Sequence, residues 1–317
     1  QRAQAGVTDA QRWDPQVQWL GPVEAAERVR MQGLLGASFH PSCARVQPRR
    51  LVDGLAAAVR RLGGRIVEGA RVRDIGDHRV TVSGGAVVTT RHTVLATEAW
   101  TATLPGRKRR IAPVYSLMIA TEPLPATVWD EIGLAGRETF ADHRHVVIYG
   151  QRTADDRIAF GGRGAPYHLR SEIRPEFDSE PTVFADIEAT LHELFPATAE
   201  YAVTHRWGGP LGIARDWHPQ VSYDPVSGVG SAGGYVGDGV AATNLAGHTL
   251  ADLIRGVSSP LTTLPWVGHR SPSWEPEPLR WLGVNAGLRL ADWADAEEAR
   301  TGRPARLGRL LSALTGH

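Results

Sequence analysis

A glycine-rich segment placed directly before an amphipathic helix constrains this chain more than any other feature of its sequence. Residues 228–244 read GVGSAGGYVGDGVAATN. The following helix is predicted to place Ala242, Ala246, Leu250 and Leu253 on one face, together with Ile254 and Val257. Glycine lacks a Cβ and lets a backbone approach a ligand closely, and a helix N-terminus offers N–H donors to a negatively charged group. The segment predicts either a ligand site of this kind or a structural turn before the helix.

The same segment contains the pattern G-x-G-x-x-G at Gly228, Gly230 and Gly233, which is typical of dinucleotide-binding sites. That fingerprint requires a helix that opens at the third glycine and an acidic residue at the end of a second strand. Here a short strand is predicted near Val229, but further glycines delay the helix until about Gly239. Because no second strand pattern follows, we predict that the match is coincidental.

Composition favours a small-molecule partner. The chain has 317 residues, 42% of them hydrophobic, which is enough for about two domains. A formal net charge of +1 produces no field that favours nucleic acid or an anionic membrane. The single cysteine, Cys43, cannot form an internal disulfide, and the sequence has neither a secretion signal nor a transmembrane segment. We therefore expect a cytoplasmic protein.

The predicted elements divide the chain into α/β and antiparallel parts. A helix after Pro48 is predicted from the spacing of Leu51, Leu55, Val59 and Leu62, and Gly63-Gly64 is predicted to end it. Strands are then predicted at 65–69 and 71–75, a hairpin at 78–82 and 86–90, and a buried strand at 92–97. Later β-prone runs and helices are predicted at 114–121, 145–152, 157–162, 181–194 and 279–296.

Several segments resemble one known family in the same order along the chain. Residues 233–254 resemble the C-terminal flavin motif of the FAD-dependent D-amino-acid oxidase, glycine oxidase and sarcosine oxidase family. Residues 46–75 and 93–101 look like segments that contact FAD in that family, although Glu98 stands where many members have glycine. Residues 149–168 and 205–221 resemble its substrate-domain hairpin and the return to the flavin domain. The Trp-rich tail, 264–283, is most similar to members related to gamma-glutamylputrescine oxidase.

The resemblance implies an α/β (α+β) fold in which a flavin domain of the FAD/NAD(P)-binding type carries a substrate domain built on an antiparallel sheet. The implied parts are a helical lead-in that belongs partly to the substrate domain (1–45), the first part of the FAD-binding domain (46–110), the substrate domain (111–206), the return of the FAD-binding domain (207–257) and a Trp-rich C-terminal extension (258–317). The family's N-terminal strand-turn-helix is not found before residue 46, and we expect that the chain lacks it.

The resemblance also implies non-covalent FAD and the oxidation of a primary or secondary amine or amino acid to an imine. Hydride would pass to flavin N5, with O2 or an electron carrier as the acceptor. The implied cofactor-binding residues are Val72, Ala96, Thr97, Trp100, Gly209, Gly234, Tyr235, Val236, Gly237, Asp238, Gly239 and Val240.

The sequence evidence for catalytic and substrate-binding residues is less specific than that for the cofactor-binding residues. Arg163 and Arg215 could bind a substrate carboxylate, or could form ordinary salt bridges. Tyr149 and Trp207, with His168 and His218, could line an amine pocket or simply pack.

Alternative interpretations remain open at this stage. The chain could be a non-catalytic remnant or binding module without FAD, or a quinone-linked amino-acid dehydrogenase. The 279–296 helix could lie on a membrane surface or dock on its own domain. We predict no metal site, because the run Asp142-His143-Arg144-His145 has no second ligand pair at a recognisable spacing.

Overall fold

The computed structural model describes residues 2–162, 164 and 166–306. The chain forms two compact units. Unit 1 contains Gln1–Ile66, Ser116–Gly164 and Asp178–Gly208, and unit 2 contains Val67–Tyr115, Ala165–Phe177 and Gly209–His317. The first helix of the predicted FAD-binding part therefore groups with unit 1, and the C-terminal extension groups with unit 2. The assignment of the units to cofactor and substrate remains a prediction.

The α-helices of the described residues are α1 (Arg2–Ala10), α2 (Pro22–Arg28), α3 (Pro48–Arg61), α4 (Ala126–Ile132), α5 (Pro181–Leu194), α6 (Gly239–Arg255) and α7 (Leu279–Thr301). The strands are β1 (Gln18–Leu20), β2 (Ala37–Phe39), β3 (Val72–Gly76), β4 (Arg79–Val82), β5 (Val87–Thr89), β6 (Thr93–Leu95), β7 (Ala112–Thr121), β8 (Thr139–Ala141), β9 (Tyr149–Arg152), β10 (Ile158–Gly162), β11 (Val203–Ile213), β12 (Gln220–Asp224) and β13 (Val229–Gly233). No helix among these combines the length and the apolar composition that crossing a membrane requires.

Unit 1 is built around a five-stranded sheet with the order β11-β7-β10-β9-β8. Strands β7, β10, β9 and β8 pair antiparallel, and β9 and β10 form a hairpin within 149–168, the segment that resembles the family's substrate-domain hairpin. Helix α5 packs against β10 through a buried face that includes Phe184, Ile187 and Leu191. This mixed structure with an antiparallel sheet confirms the predicted fold class.

The amphipathic helix predicted after Pro48 is present as α3, but its apolar face is exposed. Leu55 is 58% exposed and Val59 is 44% exposed, and within the described chain no residue of α3 is buried. Periodicity therefore predicted the helix correctly, but in the described residues its apolar face is not covered.

Unit 2 contains two three-stranded sheets, β12-β13-β6 and β3-β4-β5. The second sheet includes the predicted hairpin, with Ser83-Gly84-Gly85 in the turn between β4 and β5. The strand predicted at 65–69 is wrong, because that segment has no ladder partner in the described structure. The predicted burial of the 92–97 strand is only partly right, since Leu95 is buried but Val94 is 48% exposed.

Candidate functional site

Two parallel strands of unit 2 bring two loops to the same edge of a sheet. Strand β6 pairs parallel with β13, with Thr93 opposite Val229 and Leu95 opposite Ser231. The segments that leave the carboxyl ends of parallel strands lie side by side, and this edge is where open α/β sheets bind ligands. The candidate site is built from these two segments.

The segment after β13, residues 234–239, is here called the glycine loop. Its backbone takes positive φ values of 79° at Gly234, 56° at Val236 and 100° at Gly237. A φ of 100° suits only glycine, whereas a positive φ at a β-branched residue such as Val236 is strained. The loop begins buried, at Gly234 and Tyr235, and ends exposed, at Gly237 and Asp238. Its outer half is therefore open to a ligand.

Neighbouring side chains of the glycine loop anchor it in two separate hydrophobic clusters of unit 2. Tyr235 belongs to a cluster with Val221, Ala246, Leu250 and Trp266. Val236 packs against a second cluster, formed by Ala112, Tyr167, Ile213 and Trp274. Because these two adjacent side chains are packed in different clusters, the backbone between them is held in place. This anchoring offsets the strain at Val236.

Helix α6 begins at Gly239, within the range that the sequence predicts. Among the described residues, the side chain of its N-cap residue, Asp238, makes no capping hydrogen bond. The first N–H groups of a helix have no intrahelical acceptor, and they lie at the positive end of the helix dipole. Val240, in this first turn, is 53% exposed. The donors of this turn are therefore suited to a carbonyl or anionic group of a ligand.

The segment after β6 contributes Glu98, which sequence analysis noted only as a departure from the family pattern. Its Oε1 accepts a hydrogen bond from the Tyr235 N–H at 3.0 Å. Burial raises the pKa of Glu98, and the backbone N–H groups of Tyr235 and Gly234 partly oppose that rise. Burial, and secondly the charge of Glu98, raises the pKa of Tyr235 to about 12. The two loops are thus joined through one carboxyl group.

The G-x-G-x-x-G match lies in a hairpin and a strand rather than before a helix. Gly228 closes the turn between β12 and β13, where a Cβ would lie 2.2 Å from the Arg91 carbonyl oxygen. Gly230 and Gly233 lie inside β13. These positions agree with the prediction that the match is coincidental.

The other predicted cofactor residues also lie in unit 2. Val72 begins β3 and pairs with Val82 of β4. The Thr97 and Thr101 hydroxyl groups are 2.8 Å apart, close to the exposed Ala96. Trp100 is 52% exposed. Gly209 lies in β11, where an added Cβ would meet no atom within 4 Å.

Two of the predicted catalytic residues lie in unit 1. The Tyr149 hydroxyl group is hydrogen-bonded to Ser116, and burial raises the pKa of Tyr149 although this bond opposes the rise. Trp207, in β11, is exposed. Arg163 lies outside the described residues.

The remaining candidates lie in unit 2 and already have partners. Arg215 forms an ion pair with Glu275 at 3.1 Å, and its guanidinium lies 5.3 Å from the Trp274 ring centroid. His168 stacks on Phe177 with ring centroids 3.4 Å apart. His218 lies beside His269, their ring centroids being 4.2 Å apart. Of the two roles that the sequence allows for Arg215, a substrate-carboxylate contact or an ordinary salt bridge, the structure contains the salt bridge.

A polar network in unit 2 holds helix α7 to the segment that contains His168. The buried Tyr167 hydroxyl donates to Glu277 Oε1 at 2.7 Å, and Arg280 pairs with the same carboxylate at 2.9 Å. Arg280 also donates to the Lys108 carbonyl at 2.8 Å. Asn285, on α7, bonds both the backbone N–H and the carbonyl of Tyr167. Helix α7 is therefore docked on its own unit through buried polar contacts.

Comparison with known proteins agrees with this geometry. The family model described as "DAO: FAD dependent oxidoreductase" matches residues 1–253. A Rhizobium meliloti (strain 1021) protein named "Probable oxidoreductase OrdL" is 32% identical over 228 residues, covering 69% of this chain and 49% of that protein. The gamma-glutamylputrescine oxidoreductase of Escherichia coli (strain K12) is 28% identical over 225 residues, covering 70% of this chain and 50% of that protein.

A solved structure, glycine oxidase from Geobacillus kaustophilus, shares the fold with a TM-score of 0.71 at 22% identity, over 85% of this chain and 71% of that chain. The chain spans about half the length of the curated relatives it matches. The family match covers most of the chain and includes the glycine loop and most of α6. The chain belongs to the DAO family of FAD dependent oxidoreductases.

Proposed function

We propose that this chain contributes to an oxidoreductase that binds FAD non-covalently and oxidises a primary or secondary amine, or an amino acid, to the imine. The observation that carries the proposal is the glycine loop at the carboxyl ends of β6 and β13, followed directly by the N-terminus of α6. The family description and the names of the relatives, gamma-glutamylputrescine oxidoreductase and glycine oxidase, support this substrate class.

The residues of the glycine loop and of the first turn of α6 would hold the cofactor. When bound, FAD would supply the hydride acceptor, at N5, for the carbon that bears the amine. The chain's own part is to present the N–H groups of Gly237, Gly239 and Val240, together with the positive end of the α6 dipole, to a group that gains negative charge. Such donors need no reorganisation, because Tyr235 and Val236 anchor the backbone.

On the substrate side, we propose that Tyr149 and Trp207 line the amine pocket and that Arg163 is the first candidate for a substrate carboxylate. Tyr149 is held by Ser116, so its ring has a fixed orientation. Arg215 is the weaker candidate, since a substrate carboxylate would have to displace Glu275 from its ion pair.

The test is anaerobic reduction of the protein expressed from its complete gene. Addition of a suitable amine or amino acid, chosen from a panel that includes glycine, sarcosine and gamma-glutamylputrescine, is expected to bleach the flavin absorbance. A protein that binds no flavin, or whose flavin no member of the panel reduces, would contradict the proposal.

The electron acceptor is tested separately. An oxidase releases hydrogen peroxide stoichiometrically with substrate under air, whereas a dehydrogenase turns over only with an added quinone or dye. We propose O2 or a carrier as the acceptor, and the peroxide yield decides between them.

A further inference from the structure

Glu98 has an unusual backbone for its residue type. Its φ is 41°, in the left-handed region that glycine adopts freely. For a residue with a side chain, this conformation costs on the order of 1–3 kcal/mol unless the surroundings compensate. The sequence keeps a glutamate here although glycine would remove the strain. The conformation is therefore held by contacts between this residue and its surroundings.

The contacts of the carboxyl group identify those surroundings. Oε1 accepts the Tyr235 N–H at 3.0 Å, and the Gly234 N–H also stabilises the carboxylate. Oε2 is buried and has no hydrogen-bond partner among the described residues. Tyr235 is itself only 8% exposed, so its N–H would be buried without an acceptor if the carboxyl group were absent.

A glycine on a third element makes room for this carboxyl group. A Cβ built at Gly212 of β11 would lie 1.8 Å from Glu98 Oε2. At Gly233 the corresponding distance is 4.0 Å. Gly212 has an ordinary φ, so conformation does not require glycine there; an added Cβ would instead meet the Glu98 carboxyl group and, at 3.1 Å, the Ala99 backbone nitrogen. Glu98 and Gly212 thus form a matched pair.

We infer that Glu98 is a positioning residue: its carboxyl group takes up the N–H groups at the start of the glycine loop and so fixes which donors the loop turns outward. The N–H of Tyr235 is bonded to Glu98 and that of Asp238 to the Tyr235 carbonyl, so these two are not free for a ligand, whereas the first N–H groups of α6 have no intrahelical acceptor. The naming of that ligand as FAD rests on the proposed function. The positioning of the loop does not.

The experiment compares Glu98→Gly, Glu98→Gln and the exposed-site control Glu68→Ala by amide hydrogen exchange at Tyr235. Glycine suits the backbone of residue 98, so Glu98→Gly removes the carboxyl group without adding strain. Loss of one net hydrogen bond, about 1 kcal/mol, corresponds to about 5-fold faster exchange at Tyr235. Glu98→Gln keeps an acceptor oxygen, and its exchange is expected to stay within about twofold of the wild-type rate, as is that of the control. An unchanged rate in Glu98→Gly would overturn the inference.

A double variant tests the matched pair. Gly212→Ala is expected to displace the carboxyl group and to speed exchange at Tyr235, whereas in the Glu98→Gly background the same change is expected to have a much smaller effect. Independent effects of the two substitutions on the Tyr235 rate would contradict the pairing.

Binding of FAD to the same variants separates this inference from the proposed function. We expect Glu98→Gly to weaken FAD binding about 10-fold and Glu98→Gln to restore it. If no form of the protein binds FAD but the exchange pattern holds, the proposed function fails and the positioning role stands. If all forms bind FAD and the exchange rate at Tyr235 is the same whatever residue stands at position 98, the positioning role fails and the proposed function stands.

Discussion

At Glu98, folding places a carboxyl group where its neutral form is favoured. Burial raises its pKa above the ordinary value of 4.5. The stability that this group contributes is therefore fully present below pH 4.5 and is lost as the pH rises through the folded-state value. The charged form of this carboxyl group is therefore less favourable in the folded protein than in the unfolded chain.

This argument predicts the pH dependence of Glu98→Gln. The amide cannot ionise, so the free energy of unfolding of the variant is expected to increase relative to the wild type as the pH rises from 4.5 to 8. Urea denaturation at several pH values measures this difference, with Glu68→Gln as the control at an exposed position. A difference that stays constant across this range would contradict the pKa direction.

Arg280 provides a second residue-scale prediction. It is 4% exposed and pairs with Glu277, whose pKa is held below its ordinary value: burial alone would raise it, but the hydrogen bond from Tyr167 and the charge of Arg280 outweigh burial. Arg280→Ala is expected to lower the free energy of unfolding by about 3 kcal/mol, because a partly buried carboxylate loses its cation. Arg289→Ala, at an exposed position of α7, is expected to change it by less than about 0.5 kcal/mol. Equal effects in urea denaturation would contradict the buried network.

Single side chains were the hardest part of the site to predict from sequence. Chemical type and motif position led to Gly234–Gly239 as a ligand loop. The bond from Tyr235 to Glu98 joins residues 137 positions apart, and no local pattern indicates it. Arg215 was predicted as a candidate because an arginine suits a substrate carboxylate. Residue type does not reveal that its guanidinium already forms an ion pair with Glu275.

At the scale of elements, a comparison of α3 with α6 shows that apolar periodicity predicts a helix but does not predict whether its apolar face is buried. Both were predicted from apolar periodicity, and both are helices. The face of α6 packs on β12 and β13 through Ala246 and Leu250, whereas the face of α3 is exposed in the described chain. Periodicity reports that a face is apolar, but the partner of that face depends on topology.

A matched pair of substitutions follows from this contrast. Leu250 is 5% exposed and Leu55 is 58% exposed. In the chain of residues 1–317, Leu250→Ala is expected to cost about 3 kcal/mol of the free energy of unfolding and Leu55→Ala less than about 0.5 kcal/mol. Urea denaturation of both variants measures the difference. A comparable cost at Leu55 would show that α3 has a packing partner in solution.

Strand prediction depended on turn residues rather than on strand length, since the three-residue β5 was predicted and the 11-residue β11 was not. The hairpin of β4 and β5 was found because its turn residues are diagnostic, and β13 was found before the glycine loop. Residues 65–69 are β-prone but form no ladder in the described structure, since a strand requires a neighbour as well as a propensity.

For the whole molecule, the order of weak motifs carried more information than any single one. The family match over residues 1–253 agrees with the resemblance argued from the segments between residues 46 and 254. Chain order is informative because it reflects the topology, in which β6 and β13 become parallel neighbours although most of unit 1 lies between them in sequence. The substrate and the electron acceptor are set by side chains that the fold does not specify.

The central claim is that the glycine loop holds FAD, and the flavin content of Gly237→Val tests it most directly. Protein from the complete gene is expected to purify with about one FAD per chain, and Gly237→Val is expected to lose it, because a φ of 100° excludes a β-branched residue. Gly247→Val, at an open position of α6, is expected to retain it. A Gly237→Val protein that folds and stays yellow would contradict the account.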